Sequence, residues 1–371
     1  MVTIKKIVFV GLSVLAAFAA SAKICTWTGG SGKWSELSKW ENQEVPVSGD
    51  IVNIRNATAS AVIENDISEL VLAQLLVTGD AACTLTGAGV TLTDANAFSN
   101  GVANTRCELP LSLSAVKPRL CTYDTMVFSG DISAPDATEL LFWYTRKAAY
   151  RVTVSGAIVA PNADIAIKPN DSVERDVDYR AFTFSGKIVA ASLFKTASSD
   201  SIRGQVYLGN PDNEIGVVTA PYANIHCDKP NVMKNSVLRF GYCENDSRGS
   251  YRIWDHNQTI DRFEGSESTR DDAAVRGSTG TAMPVITMEA TADSYCPARF
   301  ISRVSLVWAP KGDYTLTFGK NRTHTTPGAI SVKGGTAVLA GSSSFRSVTA
   351  LSVADGAKFR MESSADAALL P

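Results

Sequence analysis

The acidic side chains are the first groups of this chain that could carry out acid–base chemistry. They are concentrated at residues 171–178, 244–246, 255 and 271–272. Two carboxylates can hydrolyse a glycosidic bond when they lie about 5 Å or about 6.5–9.5 Å apart. None of these places matches a glycosidase or lyase signature, and acidic residues in such polar segments are usually solvated. The sequence therefore assigns no catalytic residue.

The histidines and cysteines predict no metal or other cofactor. His226, His256 and His324 each lie in a polar segment, without the HExxH spacing of a zinc protease. None of the seven cysteines has the C-x-x-C or Cys/His spacing of a structural zinc site. We interpret the histidines as surface or turn residues.

Two pairs of cysteines are close enough in sequence to form disulfides in an exported protein. These pairs are Cys107 with Cys121 and Cys227 with Cys243. An odd total leaves at least one thiol unpaired, and spacing alone does not establish connectivity. Buried free thiols are an equally acceptable interpretation.

Three tryptophans, Trp27, Trp34 and Trp40, lie within 14 residues of one another near the start of the chain. Their rings could stack on sugars and form a carbohydrate platform. Alternatively, they could cover the open apolar end of a stack of repeats, since large aromatic side chains bury about 150–250 Å² each. Capping is favoured because the group lies ahead of the repeats.

An internal sequence repeat indicates the architecture that must position these residues. Residues 126–132 (MVFSGDI) return as 152–158 (VTVSGAI) and 182–188 (FTFSGKI), with their glycines 26 and 30 residues apart. A period in the twenties is typical of one coil of a β-solenoid, and apolar residues alternate with Thr and Ser as in half-buried strands. We predict an all-β parallel β-helix with Phe128, Val154 and Phe184 stacked inside it; an irregular β-sandwich is the competing fold.

The N-terminus has the pattern of a secretory signal. Lys5 and Lys6 precede an apolar run over residues 7–20, and Ala20-Ser21-Ala22 predicts cleavage before Lys23. A retained anchor helix is the alternative, although about 14 residues are too few to cross a bilayer core of about 30 Å. No later segment is apolar enough to span a membrane. Lys plus Arg total 35 against 37 Asp plus Glu, and this balance argues against nucleic-acid binding.

Both ends resemble bacterial autotransporter-type passengers and proteins with autotransporter-associated β-strand repeats. The far end resembles the repeat itself through Thr315-Leu316, Pro327-Gly328, 332–336 (VKGGT) and 353–357 (VADGA). The opening matches in the order Trp27, Gly29, Trp34, Trp40, Pro46, Gly49, Asp50 and Ile54. The resemblance implies a right-handed parallel β-helix, exported to the cell surface, with an adhesive or structural role.

The predicted organisation has three parts. Residues 1–22 form a signal peptide, 23–54 an N-terminal Trp-rich cap, and 55–371 a β-helix region that is incomplete at its C-terminal end. The predicted protein is non-enzymatic and extracellular or on the cell surface, associated with the outer membrane. Its expected partners are surface glycans or host matrix molecules. The alternative is a carbohydrate-binding or polysaccharide-degrading β-helix.

The C-terminal end predicts self-association. Residues 365–371 contain neither an aromatic lid nor Lys or Arg that would protect an edge strand. An uncovered coil exposes unpaired N–H and C=O groups that recruit other chains. We therefore expect that the polypeptide continues or that this end binds a partner or a second copy.

Overall fold

The computed structural model describes nine stretches of the chain, which are residues 22–123, 125–144, 151–169, 181–194, 205–220, 224–240, 250–265, 273–319 and 322–362. The predicted signal peptide lies outside these residues apart from Ala22. Among the described residues, no helix is long and apolar enough to cross a membrane.

The described part consists almost entirely of short strands, with one turn of 3-10 helix at Leu37–Lys39. The strands of the first half are β1 (Ile24–Trp27), β2 (Gly32–Lys33), β3 (Ile51–Ile54), β4 (Ala61–Asn65), β5 (Leu70–Leu72), β6 (Gln74–Val77), β7 (Cys83–Gly87), β8 (Val90–Leu92), β9 (Phe98–Asn100), β10 (Thr105–Cys107), β11 (Leu111–Leu113), β12 (Arg119–Thr122), β13 (Met126–Phe128), β14 (Ile132–Ser133), β15 (Glu139–Tyr144), β16 (Arg151–Val154), β17 (Ile158–Pro169), β18 (Ala181–Phe184) and β19 (Ile188–Leu193). Those of the second half are β20 (Gln205–Leu208), β21 (Glu214–Ala220), β22 (Asn224–Cys227), β23 (Val237–Phe240), β24 (Ser250–Trp254), β25 (Gln258–Ile260), β26 (Phe263–Glu264), β27 (Ala274–Gly277), β28 (Val285–Met288), β29 (Ser294–Cys296), β30 (Arg299–Ile301), β31 (Ser305–Trp308), β32 (Thr315–Phe318), β33 (Thr323–His324), β34 (Ala329–Val332), β35 (Thr336–Leu339), β36 (Ser344–Phe345), β37 (Ala350–Val353) and β38 (Lys358–Met361).

These strands stack in parallel as a β-solenoid, which confirms the predicted fold class. Sheet A has 15 strands, and sheet B has 12, running from β2 to β30 with one strand from each successive coil. Three smaller sheets of five, four and two strands lie towards the C-terminal end. Each coil leaves its inner face apolar, so neighbouring coils together form one continuous core.

The predicted stack of Phe128, Val154 and Phe184 is confirmed. Phe128 pairs in register with Val154, and Val154 pairs with Phe184, on consecutive strands of sheet B. All three side chains are buried. Because side chains alternate along a strand, this register places every second residue of these strands in the core.

The Trp-rich segment is continuous with the solenoid. Strand β1 pairs with β3, and β3 pairs with β6, so residues 23–54 contribute strands to sheet A. The rings of Trp27 and Trp40 meet edge to face at 5.2 Å, and those of Trp34 and Trp40 at 6.0 Å. All three indoles are buried, so they offer no ring face on which a sugar could stack.

Of the two interpretations of Cys107 and Cys121, the structure shows the buried free thiols and not the disulfide. Both thiols are free, because the residues lie in different sheets and on different faces. Cys107 points into the core from β10, whereas Cys121 follows the core residue Leu120 on β12 and therefore points away from the core. Cys227 is also free and buried, and Cys243 lies outside the described residues.

The C-terminal strands β37 and β38 are the most exposed strands of the described part. Strand β37 pairs with β34 and β38 pairs with β35. Residues 365–371, on which the prediction of self-association was based, lie outside the described residues. Self-association through this end stays a prediction.

Candidate functional site

The outer face of sheet B carries a row of side chains from consecutive coils. Tyr207 pairs in register with His226, His226 with Arg252, and Arg252 with Arg276. Their neighbours Val206, Ile225, Tyr251 and Val275 belong to the core. Alternation therefore directs the row away from the core. We call Tyr207, His226, Arg252 and Arg276 the outer ladder.

Three neighbouring rings contact one another on this face, with Tyr207 stacked on His226 and Trp254 tilted against it, and we call this group the ring stack. The centroids of Tyr207 and His226 are 4.5 Å apart, with planes inclined by 27°, and those of His226 and Trp254 are 5.5 Å apart. Tyr207 and Trp254 are half-buried, whereas only 2% of His226 is exposed. The interpretation of His226 as a surface residue is therefore wrong, because aromatic neighbours from two other coils cover its ring.

The contact with Trp254 determines where the proton of His226 lies. The indole Nε1–H of Trp254 donates to Nδ1 of His226 across 2.9 Å. An indole nitrogen is only a donor, so Nδ1 is unprotonated and the neutral imidazole carries its hydrogen on Nε2. Burial, followed by the charge of Arg252, lowers the pKa of His226 to about 4. Within the described part of the chain, this buried Nε2 has no hydrogen-bond partner.

The backbone is strained at Trp254. Its φ is 48°, in the left-handed region that bulky residues rarely adopt. The pairing of β24 with β27 also shifts between Arg252 and Trp254. Such conformations cost free energy and concentrate at functional sites. Here the irregularity coincides with the residue whose indole nitrogen reaches His226.

Charged groups border the ring stack. The guanidinium carbon of Arg252 lies 5.9 Å from the centroid of the Trp254 ring, and Nε of Arg252 has no hydrogen-bond partner in the described residues. Burial raises the pKa of Tyr207, nearby Asp228 raises it further, and Arg252 and Arg151 lower it. Hydrogen-bond donors therefore dominate the centre of the site, and Asp228 is a carboxylate on its border.

The acidic segments identified in the sequence supply no catalytic group within the described residues. Residues 171–178, 244–246 and 271–272 lie outside the described residues, and Asp255 is exposed. No group of three or more His, Cys, Asp or Glu suited to a metal ion occurs among the residues that the structure describes. The ring stack was missed because its members come from three coils and share no local motif.

His324 is the second buried histidine, and it also contradicts the surface interpretation. Its ring lies among Phe300, Phe318 and Phe345 at centroid distances of 5.6, 5.5 and 4.9 Å. Its Nδ1 accepts the backbone N–H of Phe300 at 3.3 Å. Burial, followed by the charges of Arg322 and Arg299, lowers the pKa of His324 to about 3.

We expect the solenoid to lose stability as the pH falls below about 6.5. The folded-state pKa of His324 is depressed, so the unfolded chain binds more protons, and the stability present above pH 6.5 is lost as the pH falls to the folded-state pKa of about 3. By pH 4 the loss from this residue is on the order of 3 kcal/mol. The free energy of unfolding, measured with urea at each pH, should fall less steeply with decreasing pH for His324→Phe than for the control His256→Gln. An equal pH dependence of the two variants would contradict the assignment of this loss of stability to buried His324.

Comparisons of the chain with protein-family models, with curated proteins and with solved structures found no match. The fold and the site define the chain as a parallel β-solenoid with an aromatic and cationic outer face.

Proposed function

We propose that this chain is an exported, non-enzymatic β-solenoid with an adhesive or structural role at the cell surface or in the medium, and a relative of autotransporter-type passengers. The N-terminal signal pattern and the motifs at both ends support export and this relationship. The observation that carries the proposal of binding is the ring stack around His226, which combines half-buried aromatic rings with hydrogen-bond donors.

The protonation state of His226 favours binding over catalysis. A general base needs an unprotonated atom within reach of the substrate. Nδ1 of His226 already accepts the indole N–H of Trp254, and Nε2 carries the hydrogen. The hydroxyl of Tyr207 donates to Gln205, and its pKa is raised by burial, so it remains protonated at neutral pH. These groups can hold a ligand, but they offer no free base.

A polysaccharide-degrading solenoid is the second candidate. Its support is the proximity of Tyr207, His226 and Arg252 in one register. An arginine can neutralise an acidic sugar, and a phenol can transfer a proton. Catalysis would require His226 to give up its contact with Trp254.

The test uses the chain expressed with its own N-terminal segment in a Gram-negative host. We expect protein on the cell surface or in the medium, with an N-terminus at Lys23. On a glycan and matrix array it should bind, and on a polysaccharide panel it should release no sugar. Reproducible release of sugar products would show an enzyme, and an uncut protein in the cytoplasm would contradict export.

A further inference from the structure

We infer that the outer ladder binds an acidic saccharide, with Nε2 of His226 and the guanidinium of Arg252 holding an anionic group of the sugar. This inference rests on the proposed binding function and names the ligand class of the same site. Three independent observations carry it: unsatisfied donors, flanking rings, and the charge of the ladder.

The first observation is a pair of neighbouring donors without acceptors. Nε2 of His226 and Nε of Arg252 are both buried, and neither has a hydrogen-bond partner among the described residues. The two residues are register partners on adjacent strands, which lie about 4.8 Å apart. A buried donor without an acceptor is costly, so a ligand oxygen that satisfies both donors would recover that free energy.

The chemistry of these donors excludes a cation and favours an anion. Because Trp254 occupies Nδ1, the buried Nε2 of His226 can only donate. The guanidinium of Arg252 is always charged and has no acceptor atom. A carboxylate or sulfate offers several acceptor oxygens to two donors side by side, and charge-assisted hydrogen bonds are the stronger kind.

The rings on either side fit a saccharide rather than a small inorganic anion. Tyr207 lies one strand before His226 in the register, and Trp254 lies on the strand after it. Both rings are half-buried, so each presents an apolar edge or face beside the donors. A pyranose ring with an acidic substituent would place its C–H groups on a ring and its anionic group on the donors.

The charges along the outer ladder also favour an acidic ligand. Arg276 follows Arg252 in the register, and Arg299 lies on the next strand, β30, where it pairs with Ala274 beside the ladder. Successive coils are spaced at about the strand separation of 4.8 Å, so an extended acidic chain could follow the ladder across several coils. Asp228 is a carboxylate that acts on Tyr207, and it directly follows β22. Its repulsion should weaken the binding of an anion.

The test measures the affinity of the exported chain for a panel of saccharides by calorimetry at fixed salt. The panel contains a uronic acid oligomer, a sulfated glycosaminoglycan fragment, a neutral glucan oligomer and single-stranded DNA as an unrelated polyanion. We expect binding of one or both acidic saccharides, with the two arms distinguishing carboxylate from sulfate. Neutral glucan and DNA should bind at least tenfold more weakly.

Variants locate the site. Arg252→Gln and Trp254→Phe should each raise the dissociation constant of the acidic saccharide about tenfold to a hundredfold, because each disturbs one donor. Asp228→Asn should lower it a few-fold, because a repulsive charge is removed. The matched control is Arg119→Gln, since the guanidinium carbon of Arg119 lies 4.8 Å from the centroid of the Trp143 ring on sheet A. This control should leave the dissociation constant unchanged.

Nitrogen NMR of His226 gives a readout that a purely structural role would not move. In the free protein the resonances should report a neutral ring with hydrogen on Nε2, and binding of the acidic saccharide should shift Nε2 more than Nδ1. Circular dichroism of each variant must match that of the parent chain before its affinity is interpreted.

The outcomes separate this inference from the proposed function. Binding of neutral glucan unaffected by Arg252→Gln would overturn the acidic ligand and leave an adhesive solenoid. Equal binding of DNA would also overturn it, since the ladder would then attract any polyanion. Cleavage of a bound acidic saccharide would instead overturn the non-enzymatic function and leave the ligand class in place. No binding by the folded chain to any member of the panel would refute the inference.

Discussion

Replacing Phe142 with alanine is expected to destabilise the solenoid by about 3–5 kcal/mol. Phe142 is buried at the centre of the aromatic core, and its ring meets those of Phe128, Phe182 and Phe184 at centroid distances of 6.3, 6.4 and 5.8 Å. Truncation would leave a cavity between coils whose backbones are fixed by strand pairing on both sides. The structure can therefore collapse only partly around the missing ring.

The measurement for Phe142→Ala is urea unfolding followed by circular dichroism, with hydrogen exchange to locate the damage. The matched control is Tyr123→Ala, because 41% of that aromatic side chain is exposed. A change within about 0.5 kcal/mol is expected for the control. Since each coil contacts only its neighbours, the loss of protection in Phe142→Ala should be greatest in strands β13 to β18. Equal effects of the two substitutions would contradict the core assignment.

Substituting Gly186 with alanine is expected to cost about 3 kcal/mol, because there is no room for a methyl group. A Cβ built on Gly186 would lie 1.9 Å from the carbonyl oxygen of Gly156. One coil earlier, a Cβ on Gly156 would lie 2.1 Å from the oxygen of Gly130. The clashing atoms are backbone atoms of paired coils, and they cannot move aside as a flexible side chain would.

Gly209→Ala is the matched control for Gly186→Ala. A Cβ on Gly209 would meet its nearest atom, the oxygen of Phe184, at 3.6 Å, which is ordinary contact. We expect thermal unfolding to change little for Gly209→Ala and to shift by several degrees for Gly186→Ala. If the two variants have the same unfolding temperature, the close approach of the backbones is not the reason why residue 186 is a glycine.

The glycine contacts explain why the fold could be predicted from the sequence. Gly130, Gly156 and Gly186 recur because successive backbones approach closely at one corner, and this requirement is local enough to leave an echo. The same echo correctly placed Phe128 and Phe184 in one column, since each lies two residues before its glycine. Alternation along the strands then defined the core face.

The Cys107–Cys121 pairing and the surface placement of His226 and His324 do not hold, because contacts between coils depend on coil length. Register partners in sheet B are separated by 19 residues between Leu208 and Cys227, and by 30 between Val154 and Phe184. A spacing of this variability does not reveal which residue lies above which. The site around His226 therefore has no sequence motif. The residues next to His324 in sequence are polar, so the sequence did not indicate that its ring packs among phenylalanines.

The variable coil length has a consequence for the evolution of such a sequence. Register partners on consecutive strands of sheet B are separated by 24 residues between Phe184 and Leu208, and by 19 between Leu208 and Cys227. The core columns on either side keep their pairing across these differences. The segments between paired strands can therefore differ in length without a change in register, and we expect sequence changes to accumulate between the strands while the buried columns stay constant.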